Sequence, residues 1–473
     1  MYLYKHRTKK FDYCLECVQL QAGRSESMMQ KNNLWRYSLF LAFLTTLSFS
    51  CRSTPTGPHV TQNVVLSTDY VACTEVWLRV SFGDTLGGNF AINRDGNTVL
   101  TGHFSGADTT VIDTTALPEK TYNYVCWRMV NGLPKNSSSN LQVQTMDTSG
   151  NNFTWQTFTF GGNAGGCLLK DVAIINDTDI WAVGEIPLKD SSVNGYSVYN
   201  LVRWDGTSWQ LRKVQFLTFC GQSYTGSYPA SAIFAFGPQD VWIASGSQVV
   251  RWNGTSQSSP MCIPSSVNKL WGTSDENIYA GGANGGIAHY DGSVWEKIES
   301  GTSLDIHDIW GTSDSTTGQE EVLAVASDQF TNNGVAVLQL SGTEATMLQT
   351  CGLPTTSLVG IWSANGREWY VCGDGLYKTR ALGLPWQRVK GNPPIEMEAI
   401  RGTGPNDIFV VGDFGLVLHW NGESWYDFTG NELPYIQGSY LAVAAKGNIV
   451  VAVGYLGGQV GNQPAVALIG RRN

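Results

Sequence analysis

Short segments in which apolar and polar residues alternate run from about residue 59 to the C terminus. Thr74–Val80 and Tyr122–Trp127 are two of them, each with a period of two. That period places one face of an extended strand against a core. Turn sequences such as Arg94–Asn97 and Asn131-Gly132 separate the segments. The pattern therefore predicts a chain built from β-strands and tight hairpins.

From about residue 150 a strongly apolar segment of four or five residues recurs seven times. The second positions of these copies lie 37 to 61 residues apart, which is the spacing of four-stranded propeller blades. An alternating segment precedes each copy and another follows it, often ending in a turn and a tryptophan. The seven copies are Ile180–Gly184, Val241–Ala244, Ile278–Gly281, Val322–Val325, Trp369–Cys372, Ile408–Gly412 and Val450–Gly454.

The seventh copy ends after a third strand, Ala465–Ile469, with no fourth segment before Asn473. A matching fourth-strand pattern, Phe153–Phe160, lies upstream of the first copy. Pairing of this strand with the last blade would remove the exposed sheet edges of an open array. We therefore expect a seven-bladed ring closed by an N-terminal strand.

The repeats resemble those of secreted bacterial seven-bladed β-propellers with IWG, DIWAVG and HWDG motifs, over about 320 residues. Leu117–Tyr122 resembles the strand-F corner of a fibronectin type III domain, in which Trp77 would be the core tryptophan of strand B. These resemblances imply an all-β fold class: a fibronectin type III-like sandwich over 59–147, followed by a seven-bladed β-propeller over 150–473. Fold alone implies little about activity.

The first 51 residues have the layout of an export signal. A basic and polar stretch precedes the apolar run Leu39–Leu44, and small residues lead to Cys51. The apolar core is too short for a retained transmembrane anchor. We expect 1–51 to be an N-terminal extension and lipoprotein-type signal, with translation starting at Met1, Met28 or Met29, and 52–58 to be a linker.

Cleavage before Cys51 and lipidation of its thiol would anchor the protein at the outer membrane or cell surface. Cleavage without lipidation, leaving a secreted or periplasmic protein, is the alternative. We expect the membrane contact to run through this lipid and the chain to be monomeric.

Composition excludes one class of partner. Charged residues make up 15% of the chain, with 30 Lys and Arg against 39 Asp and Glu. Binding to a nucleic-acid backbone needs a basic surface. Nucleic acid is therefore not an expected partner.

The candidate catalytic motifs are weak. Asp177 and Asp179 form a DxD pattern, but Asp179 occupies a repeat position that Asp240 and Asp407 also fill, so we interpret it as a turn residue. His289 and His419 share a position with Arg203 and Arg251, which we interpret as a blade-surface position. Phosphate-loop, HExxH, EF-hand and GxSxG motifs are absent from the sequence. We predict no catalytic residue, no metal site and no cofactor.

Insertion lengths point to one face of the predicted ring. Glu185–Ser197, Phe216–Pro229, Ser327–Asn333 and Tyr455–Gln463 all fall where second strands end or first strands begin. Long loops on one rim of a rigid scaffold are a common place for recognition, although drift in unconstrained loops would give the same lengths. Aromatic residues that could form a binding face there are Tyr196, Tyr199, Tyr224, Tyr228 and Phe330.

Two disulfides are candidates in an exported chain. Cys73 and Cys126 share the parity of core residues in facing strands, with two free buried thiols as the alternative. Cys220 and Cys262 lie on connections that flank the second copy.

We expect an envelope binding scaffold whose partner is a protein or a glycan. The alternative is a carbohydrate-active enzyme of glucosyltransferase-like or glycan-processing type, for which acidic residues converging at the mouth of the central channel would be the distinguishing feature.

Overall fold

The computed structural model describes residues 64–192, 195–313, 320–329, 331–458 and 462–473. The predicted signal with Cys51, the linker 52–58, residues 59–63 and Phe330 lie outside them. The described residues divide into two compact units, 64–71 with 75–145 and 72–74 with 146–473. Within this part of the chain, no helix has the length and apolar character needed to cross a membrane.

The first unit consists of two antiparallel sheets around one core. One sheet has the order β1-β2-β5, and the other has the order β4-β3-β6-β7 with β8 also paired to β6. Asp95 and Gly96 both have positive φ angles in the predicted hairpin turn. The strands are β1 Val65–Val71, β2 Val76–Ser81, β3 Gly88–Arg94, β4 Asn97–Phe104, β5 Asp108–Asp113, β6 Thr121–Val130, β7 Leu133–Ser137 and β8 Leu141–Gln144.

Two sequence predictions fail at the start of β2. Val76 and Leu78 join the core of the first unit, so Trp77 lies on the opposite face of the strand, edge-on to Tyr70. Trp77 is buried, but it lies outside the core cluster of the first unit, contrary to what the fibronectin resemblance implied. Alternation does not extend back to Cys73, because β2 begins only at Val76.

The predicted bridge between Cys73 and Cys126 is also wrong. Both thiols are free and buried. Cys73 belongs to the second unit, where its Sγ donates to the carbonyl of Asp147 at 3.1 Å. Cys126 lies in the core of the first unit.

The second unit contains seven four-stranded antiparallel sheets among its described residues. In each sheet the second strand is a recurring apolar segment of the sequence. Their strands, together with the small hairpin β14–β15, are β9 Phe153–Phe160, β10 Leu168–Asn176, β11 Asp179–Lys189, β12 Tyr196–Trp204, β13 Trp209–Arg212, β14 Phe216–Leu217, β15 Thr225–Gly226, β16 Ala232–Gly237, β17 Asp240–Ser245, β18 Gln248–Trp252, β19 Met261–Cys262, β20 Lys269–Ser274, β21 Asn277–Gly281, β22 Ile287–Tyr290, β23 Trp295–Ile298, β24 Ile306–Ser313, β25 Glu320–Ser327, β26 Val335–Ser341, β27 Glu344–Met347, β28 Leu358–Trp362, β29 Trp369–Gly373, β30 Gly375–Thr379, β31 Gln387–Arg388, β32 Met397–Gly404, β33 Asp407–Gly412, β34 Val417–Trp420, β35 Trp425–Asp427, β36 Gly438–Lys446, β37 Ile449–Leu456 and β38 Ala465–Arg472.

Six sheets use consecutive strands, and the last combines the two ends of the unit in the order β36-β37-β38-β9. The strand β9 has the predicted bounds and pairs with β38 from Phe160 opposite Ala465 to Phe153 opposite Arg472, with no register shift. The first strands contact one another in a closed cycle, from β10 through β16, β20, β24, β28, β32 and β36 back to β10. This arrangement of repeated four-stranded sheets is consistent with a β-propeller.

Candidate functional site

The connections between second and third strands, and those from each fourth strand to the next sheet, lie on one face of the second unit. Hydrogen bonds join the starts of neighbouring first strands on this face, from Ser231 Oγ to the Val267 carbonyl at 2.5 Å and from Asn268 Nδ2 to the Ile306 carbonyl at 3.2 Å. We call it the loop-rich face. The connections within strand pairs one–two and three–four lie on the opposite face.

One predicted loop on this face is mostly strand. Glu185–Ser197 was expected to be a loop, but β11 continues to Lys189 and β12 begins at Tyr196, with Lys189 opposite Tyr196. The two strands therefore project together as a long hairpin. The sequence missed this extension because Pro187 interrupts the apolar pattern, whereas the structure pairs it with Val198, beyond a bulge between Val183 and Ile186.

The segment Phe216–Gly226 forms a second ordered element, which we call the disulfide hairpin. Its strands β14 and β15 pair through Phe216 and Gly226. A disulfide joins Cys220, near its tip, to Cys262 on β19. This hairpin lies between the first and second sheets of the ring.

The predicted aromatic residues have different surroundings. Tyr196 and Tyr224 are exposed, with 44% and 76% of their surface accessible. Tyr199 is partly buried, with Lys213 Nζ 4.8 Å from its ring centroid. The hydroxyl of Tyr228 donates to Thr218 Oγ1 at 2.8 Å. Of the described aromatic residues in the predicted binding face, Tyr196 and Tyr224 are thus the two with solvent-exposed rings.

Sequence reasoning missed three exposed rings on the same face: Phe219, Phe414 and Tyr435. Phe414 has a φ of 58°, in the left-handed region that rarely suits a bulky residue. Its amide donates to the Gly438 carbonyl at 2.9 Å and its carbonyl accepts from Ile436 at 3.1 Å. A turn before Gly415 could be read from the sequence, but these backbone contacts could not.

Acidic side chains gather on the loop-rich face where β32 begins. Burial and, after it, the charges of Asp413 and Glu396 together raise the pKa of Glu398 to about 7, against a hydrogen bond from Gln329 that lowers it. Burial also raises the pKa of Glu396, whose carboxylate accepts from the Ser357 hydroxyl. Near neutral pH, Glu398 can therefore hold or release a proton.

Two buried ion pairs lie further along the first strands. Lys269 Nζ is 2.7 Å from Asp171 Oδ1, and Arg401 makes a bidentate pair with Asp308 at 2.7 and 2.8 Å. Lys269 and Arg401 line a central cavity of about 180 Å³. Because each of these two cations is already paired with a carboxylate, the ion pairs give this cavity no strong net charge.

The DxD pattern has a structural role at Asp179. Its Oδ1 accepts from Trp181 Nε1 and Arg203 Nε, both at 2.7 Å, and its Oδ2 accepts from Arg203 Nη2 at 2.9 Å. Asp177 is exposed. Among the residues that the structure describes, no group of three or more His, Cys, Asp or Glu side chains could hold a metal ion.

The prediction of a blade-surface position for His419 is wrong. Its side chain is fully buried, and its ring stacks on Phe409 with 4.5 Å between centroids. Nε2 lies 2.8 Å from Asp407 Oδ1 and Nδ1 lies 2.6 Å from Asn151 Oδ1. The chain that leads into β9 covers this histidine, which removes it from solvent.

Comparison with known proteins gives likeness of fold only. No family model matches the chain, and no curated protein matches it. Among solved structures, YCF48 from Cyanidioschyzon merolae is 12% identical with a TM-score of 0.47, and the match covers 67% of this chain and 98% of that one. YCF48 bound to D1 peptide is 14% identical with a TM-score of 0.47, over 67% and 95%. BBS1N in complex with ARL6DN is 13% identical with a TM-score of 0.41, over 66% and 94%.

The protein is all-β, and its repeated four-stranded sheets are those of a β-propeller-like architecture.

Proposed function

We propose that the second unit is a seven-bladed β-propeller closed by β9, and that the first unit is a fibronectin type III-like sandwich. The closed cycle of first strands supports the ring. In the sandwich, the Leu117 amide donates to the Tyr122 hydroxyl at 2.9 Å. A tyrosine at the start of a strand whose hydroxyl bonds to backbone a few residues upstream is typical of such sandwiches.

The function that this architecture supports best is binding of a partner at the loop-rich face. One observation carries the proposal: all the strongly exposed aromatic rings in the described part of the second unit lie on this face, whereas the opposite face exposes aliphatic Val294 and Leu384. Exposure of aromatic rings to water is unfavourable in free energy, and such rings are enriched in recognition surfaces. The five residues are Tyr196, Phe219, Tyr224, Phe414 and Tyr435.

A binding screen with the mature chain tests the proposal. Secreted proteins and immobilised glycans serve as probes, and ligands are retested against Tyr224→Ala, Tyr435→Ala and the opposite-face control Leu384→Ala. We expect at least one loop-rich-face substitution to weaken binding about ten-fold, with Leu384→Ala unchanged. A ligand whose affinity responds only to Leu384→Ala would contradict the choice of face, and a screen without ligands would contradict the binding function.

A carbohydrate-active enzyme is the second candidate, because acidic side chains do converge where β32 begins. A carboxyl group with a pKa of about 7, as at Glu398, suits a general acid in glycoside chemistry. Sugar hydrolysis or transfer that Glu398→Gln lowers at least 100-fold would favour the enzyme. The binding proposal expects no such turnover from the wild-type chain.

We further propose export and membrane attachment through lipidated Cys51, on the signal layout alone. Metabolic labelling with palmitate tests it. The parent should incorporate label and Cys51→Ala should not. Equal labelling of both would contradict lipidation at Cys51, and labelling of neither would favour the secreted or periplasmic alternative.

A further inference from the structure

The tip of the disulfide hairpin is a tight turn with its corner fixed covalently. The Gln222 amide donates to the Phe219 carbonyl at 3.1 Å, and Gly221 has a φ of 87°, as the third position of a type II turn requires. Cys220, at the second position, is bonded to Cys262 on the second sheet. The turn therefore cannot swing freely away from the ring.

The base of the disulfide hairpin is fixed as well. Gln248 accepts from the Leu217 amide and donates to the Leu217 carbonyl, each at 2.8 Å. Ser227 Oγ, just beyond the hairpin, donates to the Val198 carbonyl on β12 at 2.6 Å. These bonds reach the first and second sheets, so the hairpin is held at its tip and on both sides of its base.

Three solvent-exposed aromatic rings occur in this region. Phe219 and Tyr224 flank the tip with 66% and 76% of their surface exposed, and Tyr196 starts the neighbouring strand β12. The Thr218 amide donates to the Tyr224 carbonyl at 2.8 Å, which brings the two sides of the tip together. A ring held in place by its backbone loses little conformational freedom on binding.

The segment that carries Phe219 and Tyr224 is uncharged. From Val214 to Gln239 the chain contains no Asp, Glu, Lys or Arg, while Ser, Thr, Gln and Tyr supply hydroxyl and amide groups. A charged ligand would find no counter-charge in this segment. A sugar ring offers apolar C–H faces for an aromatic plane and hydroxyls for neutral hydrogen-bonding groups.

We propose that the disulfide hairpin is a binding site for neutral oligosaccharides, with Phe219 and Tyr224 stacking on sugar rings. This inference rests on the proposed binding function of the loop-rich face and names its ligand class. The disulfide keeps the two rings in a binding-ready arrangement.

Titration calorimetry on the mature chain tests the ligand class. The probes are neutral hexasaccharides of glucose, mannose, xylose and galactose, with a hexagalacturonate as the charged counterpart. We expect at least one neutral probe to bind and the hexagalacturonate to bind more weakly. Phe219→Ala and Tyr224→Ala should each weaken neutral binding about ten-fold, with Leu384→Ala as the unchanged control.

Two results would overturn the inference: no binding of any neutral probe, or neutral binding that both ring substitutions leave unchanged. A protein ligand that is lost in Tyr224→Ala while no saccharide binds would also overturn it, but would leave the binding function of the face standing. Absence of both kinds of ligand would contradict the two proposals together.

Removal of the disulfide between Cys220 and Cys262 is an independent test of the inference. A double Cys220→Ser, Cys262→Ser protein, first shown by thermal unfolding to be folded, should bind the same neutral probe several-fold more weakly because the hairpin must be ordered on binding. Equal affinity in the parent and the double variant would contradict the role of the disulfide. Reduction of the parent by dithiothreitol should reproduce the weakening, which separates loss of the bond from effects of the serines.

Discussion

Tryptophan on one first strand packs over glycine on the next in this molecule. The ring of Trp271 occupies the space that a Cβ at Gly311 would need, and a Cβ at Gly402 would lie 2.9 Å from the Trp362 ring. Gly311 and Gly402 each end a recurring motif of the first strands, Trp310-Gly311 and Arg401-Gly402. At Gly311 the absence of a side chain is required by contact with the neighbouring sheet, whereas at Gly402 a Cβ would also lie 2.4 Å from the Asp407 carbonyl of the same sheet.

Gly311→Ala should therefore destabilise the second unit by about 1–3 kcal/mol, since the rigid indole of Trp271 cannot move without disturbing the core. Gly237→Ala is the matched control, because a Cβ there meets nothing within 4 Å. Urea unfolding of both variants measures the difference. Equal midpoints for the two variants would show that the ring contact does not restrict the site.

Glu398 should make stability depend on pH. Its pKa is raised from 4.5 to about 7 in the folded protein, so the native state binds the proton more tightly than the unfolded chain does. The stabilisation is complete below about pH 4.5 and is lost as pH rises to about 7.

Glu398→Gln removes this titration. At pH 8 the variant should be more stable than the wild type by up to about 3 kcal/mol, and near pH 5 the two should differ little. Denaturant unfolding across this pH range measures the effect. A stability difference that stays constant from pH 5 to pH 8 would refute the raised pKa.

Single-residue environments were the least predictable level from sequence. The core position of Trp77 was implied by the fibronectin resemblance, and that of Cys73 by its parity with Trp77. Both failed because β2 starts at Val76 and turns Leu78 inward. The free thiol of Cys73 depends on Asp147, 74 residues away. Alternation constrains neighbours along one strand and carries no information about such distant partners.

At the level of the strand pair, one arrangement recurs in several sheets. An acid or amide at the start of the second strand bonds to a basic or imidazole side chain on the third strand, and that side chain lies against an aromatic ring of the second strand. In the second sheet, Asp240 accepts from Arg251 Nε at 2.7 Å, and Arg251 lies 5.4 Å from the Trp242 ring centroid. The sequence revealed these shared positions but not the contact between them.

Asp179→Ala should cost about 2–4 kcal/mol of stability, because Arg203 and the Trp181 indole would lose a buried partner. Asp177→Ala, two residues away and exposed, should stay within about 0.5 kcal/mol of the wild type. Thermal unfolding compares them. Equal effects of the two substitutions would argue against the structural role of Asp179.

Elements were predicted well where the pattern was local. The bounds of β9 and the positions of the seven second strands follow from alternation and apolar repeats. The acidic group at Glu396 and Glu398 was not predicted, because it forms from a first strand and the turn at Asp413, which the topology brings together. The extended hairpin of β11 and β12 escaped for a similar reason, since strand pairing overrode the local effect of Pro187.

For the whole molecule, the two ends of the second unit are joined. Phe153 of β9 packs edge-on against Phe409 and Phe428 at 5.7 Å between ring centroids, and Arg472 of β38 lies 4.9 Å from the centroid of Phe153. Asp407 accepts from Arg472 and lies beside buried His419. Loss of β9 would expose both the edge of β38 and this aromatic cluster to water.

Two deletions compare the second unit with and without β9. Removal of 52–147 takes away no strand of the seven sheets, whereas removal of 52–161 also removes β9. The most direct test of closure is thermal unfolding and aggregation of these two proteins side by side. The shorter deletion should give a soluble protein with a cooperative transition, and the longer one should aggregate or unfold without cooperativity. Equal cooperative melting of both at the same temperature would contradict closure of the ring by β9.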